Sequence, residues 1–161
     1  MPEGRGRRPN YESGLFSGIH KPILQAWVDG LQTIDELVEA LGKKRERISH
    51  LRTDITSIMD VGIGRDRVAK AVSYAVVHNL VNFEVIDKIR PARKFSDREA
   101  YVLTAVALGL DNEQIASHLS ITGEEVEKGL QDILVNLGVS SPYTALAWGI
   151  RRSLQRLKQV S

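Results

Sequence analysis

Between Phe95 and Leu146 the apolar residues return every three or four positions, as they do along one side of an α-helix. Val102, Leu103, Val106 and Leu110 form one stripe, Ile115, Ala116 and Leu119 a second, and Val126, Leu130, Ile133, Leu134 and Leu137 a third. The intervals between stripes carry helix-start chemistry. Ser96 with Glu99, Asp111 with Gln114 and Thr122 with Glu125 each have the spacing of an N-cap and a reciprocating side chain three residues on, and Ser141-Pro142 puts a proline at a first helical position. Four helices are predicted, with Gly109 ending the first and Ile121 in a turn too short for anything but a sharp bend. A short helix, a tight turn and a longer helix make the helix-turn-helix arrangement.

The motifs GLDNEQIASHLSI, Val126, Ile133, LGV at Leu137 to Val139 and the upstream SDREAYVL resemble the LuxR/FixJ/GerE-type helix-turn-helix module of bacterial transcription regulators. The resemblance covers roughly the last third of the chain. It implies a four-helix DNA-binding domain whose third helix enters the major groove and whose fourth often pairs two protomers. Double-stranded DNA, a second copy and the transcription machinery are the partners so implied. The departures all remove a group that could reach phosphate: Glu127 and Asn136 stand where the family commonly has lysine, Gly129 where it has histidine, and Pro142 where it often has arginine.

From His20 the pattern repeats. ILQAWVDGL (Ile23 to Leu31) lies on VLTAVALGL (Val102 to Leu110), with Ala26 on Ala105 and Gly30-Leu31 on Gly109-Leu110. Allowing one extra residue, Leu37 falls on Ile115, Leu41 on Leu119, Ile48 on Val126, Ile55 on Ile133 and Met59 on Leu137, while Arg52 falls on the core position of Leu130. Thr33 with Glu36 supplies a capping box. A degenerate copy of the same module is the reading this supports; shared periodicity of unrelated helices is the alternative. Gly62 and Gly64 are expected to close the third helix, and Asp66 to cap a fourth whose apolar side is Val68, Ala71, Val72, Ala75, Val76 and Leu80.

The fold class that follows is all-α, two small four-helix modules in tandem, each containing a helix-turn-helix. Residues 1–14 read as a basic flexible arm, 15–81 as the N-terminal module, 82–94 as a basic linker and 95–161 as the C-terminal module with an extended last helix. On that helix Leu146, Ile150, Leu154 and Leu157, with Trp148 offset, form a stripe longer than a four-helix module needs, so it should cover the first module or a second protomer.

Net charge alters the picture through its distribution. The total is +2, near neutral, but from Ser96 to Ile150 two basic residues (Arg98, Lys128) face eight acidic ones. The front half has the opposite sign: KKRERISHLRTDI brings Lys43, Lys44, Arg45, Arg47, Ser49, His50 and Arg52 onto or just before its third helix, the element that would read a duplex. Those cations, with Thr122 and Lys128 behind, are the candidate DNA contacts. A solvated face balanced by Glu46 and Asp54 is the plainer alternative. Arg5, Arg7 and Arg8, set among glycines, resemble a minor-groove arm or else a solubilising tail.

Other chemistry finds no pattern. There is no cysteine for disulfides or thiolate metal sites, and His20, His50, His78 and His118 lack the spacing of a helical zinc pair. Neither nucleophile elbow nor nucleotide loop occurs; GIGRDRV lacks the lysine and hydroxyl of a phosphate loop. A cytoplasmic, non-enzymatic DNA-binding regulator with no cofactor and no membrane association is expected. The competing expectation is a helix-turn-helix scaffold turned to protein interaction, binding RNA polymerase, a sigma factor or another regulator through its acidic face.

Overall fold

The structure, a computed structural model, describes residues 15–62 and 64–160, with side chains through 157. The fold of these residues is all-α. The order is α1 (Lys21–Val28), α2 (Ile34–Leu41), α3 (Arg45–Ile58) and α4 (Arg67–Val77) in the front half. A 3-10 turn at Ile86–Lys88 follows, then α5 (Asp97–Ala107), α6 (Asn112–Leu119), α7 (Gly123–Leu137) and α8 (Pro142–Val160). No single helix among the described residues is long and apolar enough to cross a membrane.

Local chemistry sets most of these boundaries. Thr33, Ser96, Asp111 and Thr122 each accept a hydrogen bond from the backbone N–H three residues on, and Glu36, Glu99, Gln114 and Glu125 reciprocate, giving four complete capping boxes. Asp66 caps α4 by accepting from the Ala69 N–H. Ser141 Oγ accepts from the Tyr143 N–H at 3.1 Å as α8 begins. Both α1 and α5 end in the same way: the Leu31 N–H returns to the Ala26 carbonyl, the Leu110 N–H to the Ala105 carbonyl, and the intervening Gly30 and Gly109 take φ of 105° and 85°.

The core runs through both halves without a break. Ile23, Leu24, Trp27, Leu37, Ile48, Leu51 and Ile55 fill the front, Val102, Ile115, Val126, Ile133 and Leu137 the back, and α8 lies between them. Its most extensive contact is with α4 of the front half. Ala69, Ala71 and Ala75 on α4 and Ala145 and Ala147 on α8 are all buried, and such small side chains let two helix backbones approach closely. Thr144 Oγ1 donates to the Val28 carbonyl at 2.8 Å, satisfying one of the carbonyls that α1 leaves open. Beside it, burial foremost and Asp66 next push the Tyr143 phenol up to about 12.

A second seam joins the loop before α4 to the end of α5. Here the reading of Gly64 as part of a helix ending is corrected, because α3 has already stopped at Ile58. Gly64 is buried against backbone: a Cβ there would lie 2.5 Å from the Leu108 carbonyl oxygen. Asp66 N–H donates to the Gly109 carbonyl at 2.8 Å, and Arg65 pairs with Asp111 at 3.1 Å. The segment expected to be a linker is likewise packed chain. Ile86 is buried, Gln25 exchanges two hydrogen bonds with the Asn82 backbone, and Asp87 pairs with Arg151 of α8. Asn136 of α7 clamps the Ala92–Arg93 backbone through three hydrogen bonds.

Two glycines should respond in opposite directions. Gly64→Ala forces a methyl into backbone and should lower the unfolding free energy by about 1–3 kcal/mol. Gly129→Ala, inside α7 with nothing within 4 Å, should raise it by roughly 0.5–1 kcal/mol. Urea denaturation of both variants checks the pair.

Acid should act through Glu99. The Arg93 guanidinium first, and then the Ser96 backbone N–H, hold its carboxyl at about 2, well under the ordinary 4.5. Because the folded value is depressed, the stability it contributes is complete above 4.5 and is lost as pH falls through about 2. Glu99→Gln should therefore cost roughly 1–2 kcal/mol at pH 7, discounted for the half-exposed Arg93, and almost nothing near pH 2. Guanidinium titrations at the two pH values measure the difference.

Candidate nucleic-acid interface

Two helix pairs have the helix-turn-helix form. Residues 42–44 join α2 to α3 and residues 120–122 join α6 to α7, so each turn has three residues. The first of the three is left-handed in both, Gly42 at φ 62° and Ser120 at φ 54°, and the last is extended in both, Lys44 at ψ 146° and Thr122 at ψ 157°. Backbone of this shape fixes the angle at which the second helix leaves the first. The pairs differ in their caps, since Thr122 caps α7 with its hydroxyl and Lys44 offers α3 no side-chain cap.

Helix α3 turns Ile48, Leu51 and Ile55 into the core. Lys43, Lys44, Arg45, Arg47 and His50 are exposed, and Ser49 is half-buried beside them. Arg45 is tied across the turn to Asp35 of α2, which cancels part of its charge. Among the described residues Lys43, Lys44 and Arg47 have no carboxylate within ion-pair distance, so three neighbouring cations are open to an anion. Asp54, on the same helix, lies 3.9 Å from buried His20, whose imidazole burial pushes below its usual range.

Arg52 departs from the other candidate contacts on α3. It is half-buried, its Nε has no hydrogen-bond partner among the described residues, and it lies close enough to act on Tyr143 of α8. The physical reason is its position: it follows core Ile48 by four residues and precedes core Ile55 by three, so its stem shares their side of the helix. Arg5, Arg7 and Arg8 lie outside the described residues.

The face of α7 is acidic. Glu124, Glu125, Glu127 and Asp132 are exposed. Glu125 closes the Thr122 capping box and lies 3.6 Å from Arg98, while Glu127 accepts from Asn112 of α6 at 2.9 Å and from Gln131 at 3.3 Å. These carboxylates therefore hold α7 in place as well as colouring its surface. Thr122 has its oxygen engaged in the cap, and Lys128 is exposed at a shallow cleft with Arg98, Gly129 and Asp132. Asn136, where the resemblance implies a phosphate-reaching lysine, is buried and is the clamp on the Ala92–Arg93 backbone. Structural need, not only loss of a DNA contact, accounts for that departure.

The stripe expected to cover the first module or to meet a second protomer or partner is mostly enclosed. Leu146 is 0% exposed and Trp148 8%, Ile150 and Leu154 are half-buried, and Leu157 is 67% exposed. Leu146 has no surface left for a second chain because α8 spends that face on its own core. Sequence reasoning missed Asp35 and Asn136, whose partners lie ten and 43 residues away, beyond any local spacing rule.

Neither a curated relative nor a solved structure matches the chain. Residues 93–148 match the family described as bacterial regulatory proteins, luxR family, so α5 to α7 and the first turns of α8 form a GerE-type helix-turn-helix domain of that DNA-binding, transcription-regulating family.

Proposed function

We propose that this chain is a DNA-binding transcription regulator whose main electrostatic hold on the duplex comes from α3 in the front half, a degenerate copy of the helix-turn-helix domain behind it. The observation that carries this is the pairing of a turn matched in backbone to that of α6–α7 with a second helix bearing the unpaired cations Lys43, Lys44 and Arg47. Phosphate contacts by Lys and Arg release condensed counterions and supply most non-specific affinity, so the helix-turn-helix whose second helix carries open cations is the one that gains from approaching DNA. The acidic face of α7 gains nothing there. Its role on this reading is to orient the molecule, or to accept from cytosine N4 at one or two positions.

The half-burial of both Arg52 and Leu130 at aligned positions supports the duplication. The opposite charge of the two second helices fits divergence in role after copying.

Binding of a fluorescent duplex by the full chain should weaken steeply between 50 and 200 mM salt. Lys44→Glu with Arg47→Glu should lower affinity at least tenfold and reduce the slope of log K against log salt by about 2. Glu124→Gln with Glu127→Gln should leave affinity unchanged or raise it. The reading fails if the front-half pair has no effect while the α7 pair abolishes binding. An absence of salt-dependent binding in every variant would instead favour the protein-interaction reading of the acidic face.

A further inference from the structure

A groove of about 520 Å³ lies between α5 and α8, within the size range of small-molecule sites. Its floor is apolar, formed by Phe95, Leu103, Leu146, Trp148, Ile150 and Leu154. The rings of Phe95 and Trp148 are 5.5 Å apart at their centroids. Gly149 keeps the floor open, because a Cβ there would come within 2.8 Å of Leu103 Cδ2. The border is cationic, with Lys94, Arg152 and Arg156 lining the groove.

Six of the described arginines are already paired. Arg45, Arg65, Arg67, Arg93, Arg98 and Arg151 all have carboxylate partners. Among the described residues Lys94, Arg152 and Arg156 have none within 4.0 Å, and Arg152 lies 5.9 Å from the centroid of the Trp148 ring. Burying an apolar body while leaving three cations without anions would waste their charge. A ligand with both features satisfies the groove.

We propose that this groove binds an amphipathic anion, a carboxylate carried on an acyl or aryl body. The body lies over Leu103 and Trp148, and the carboxylate meets Arg152 and Arg156. A second copy of the chain suits the groove less well, since an isologous contact through this face would bring both sets of cations together. A DNA phosphate would use the cations and leave the apolar floor in water. The inference does not depend on α3 binding DNA.

Decanoate, used below its micellar concentration, is the probe, with decanol as the uncharged analogue. Titration into the full chain is followed by calorimetry and by tryptophan emission. The chain has two tryptophans, and Trp27 is 1% exposed in the front core, so a change in emission reports on Trp148 in the groove floor. Saturable decanoate binding, at least about tenfold tighter than decanol, is expected. Arg152→Ala with Arg156→Ala, both exposed, should weaken decanoate about tenfold and leave decanol unchanged. Thr104→Trp, on the exposed wall, should block both ligands, with helical circular dichroism confirming the fold. The proposal is overturned if decanoate does not saturate, if decanol binds as tightly, or if the arginine pair makes no difference. It is also overturned if sedimentation shows a dimer that Thr104→Trp breaks and decanoate leaves intact, because the groove then belongs to a second copy.

Discussion

Removing Leu146 and its alanine neighbours from water requires α4 on one side and the back half on the other, so α8 is at once the last helix of one half and the cover of the other. A fully buried leucine contributes about 1.5–3 kcal/mol, and the hydrogen bond from Thr144 to the Val28 carbonyl adds about 1 kcal/mol. The Gly64–Gly109 seam then locks the loop before α4 against the end of α5, where no side chain fits. Because these contacts close over one another, α3 and α7 are held by one continuous core.

Charge is distributed over that core with a purpose the total conceals. Carboxylates at the start of α7 stabilise it through the helix dipole, through the Thr122 box and through Asn112, so the back half draws structural benefit from acidic residues. Helix α3 has one acidic residue in its first turn and no side-chain cap, and its cations other than Arg52 lie out in water. In energetic terms the acidic helix is specified by its own local chemistry. The basic helix depends more on Ile48, Leu51 and Ile55, each at most 1% exposed.

What the sequence made legible was whatever depends on neighbours three or four residues apart. The capping boxes of α2, α5, α6 and α7 and the inward Ile48, Leu51 and Ile55 follow from spacing alone. Long-range contacts were not legible. Nothing near Asn136 announces that it will hold the backbone at Arg93, and nothing near Gly64 announces Leu108. The segment at 82–94 reads as a linker because its apolar residues are sparse, yet Ile86 and the Asn82 and Asp87 contacts are enough to fix it. The stripe on α8 was legible in its residues but its partner, the first module or a second protomer, was left open, since periodicity reports which side is apolar and not what lies against it.

A fixed separation of two oppositely charged helix faces has a consequence for approach to a polyanion. Between Ser96 and Ile150 eight acidic residues oppose two basic ones, while the front half is close to balance and gathers its cations before and along α3, so the asymmetry lies between the faces of α3 and α7. Near a duplex that asymmetry produces torque as well as attraction, turning the α3 face inward and the α7 face away before any contact forms. Hinged halves would lose this effect, because each could reorient alone. A continuous core transmits it, and screening over about 8 Å at physiological salt confines it to the last steps of encounter. On the proposed reading, α7 thus selects orientation through repulsion, which costs affinity but excludes a binding mode that the same scaffold would otherwise permit.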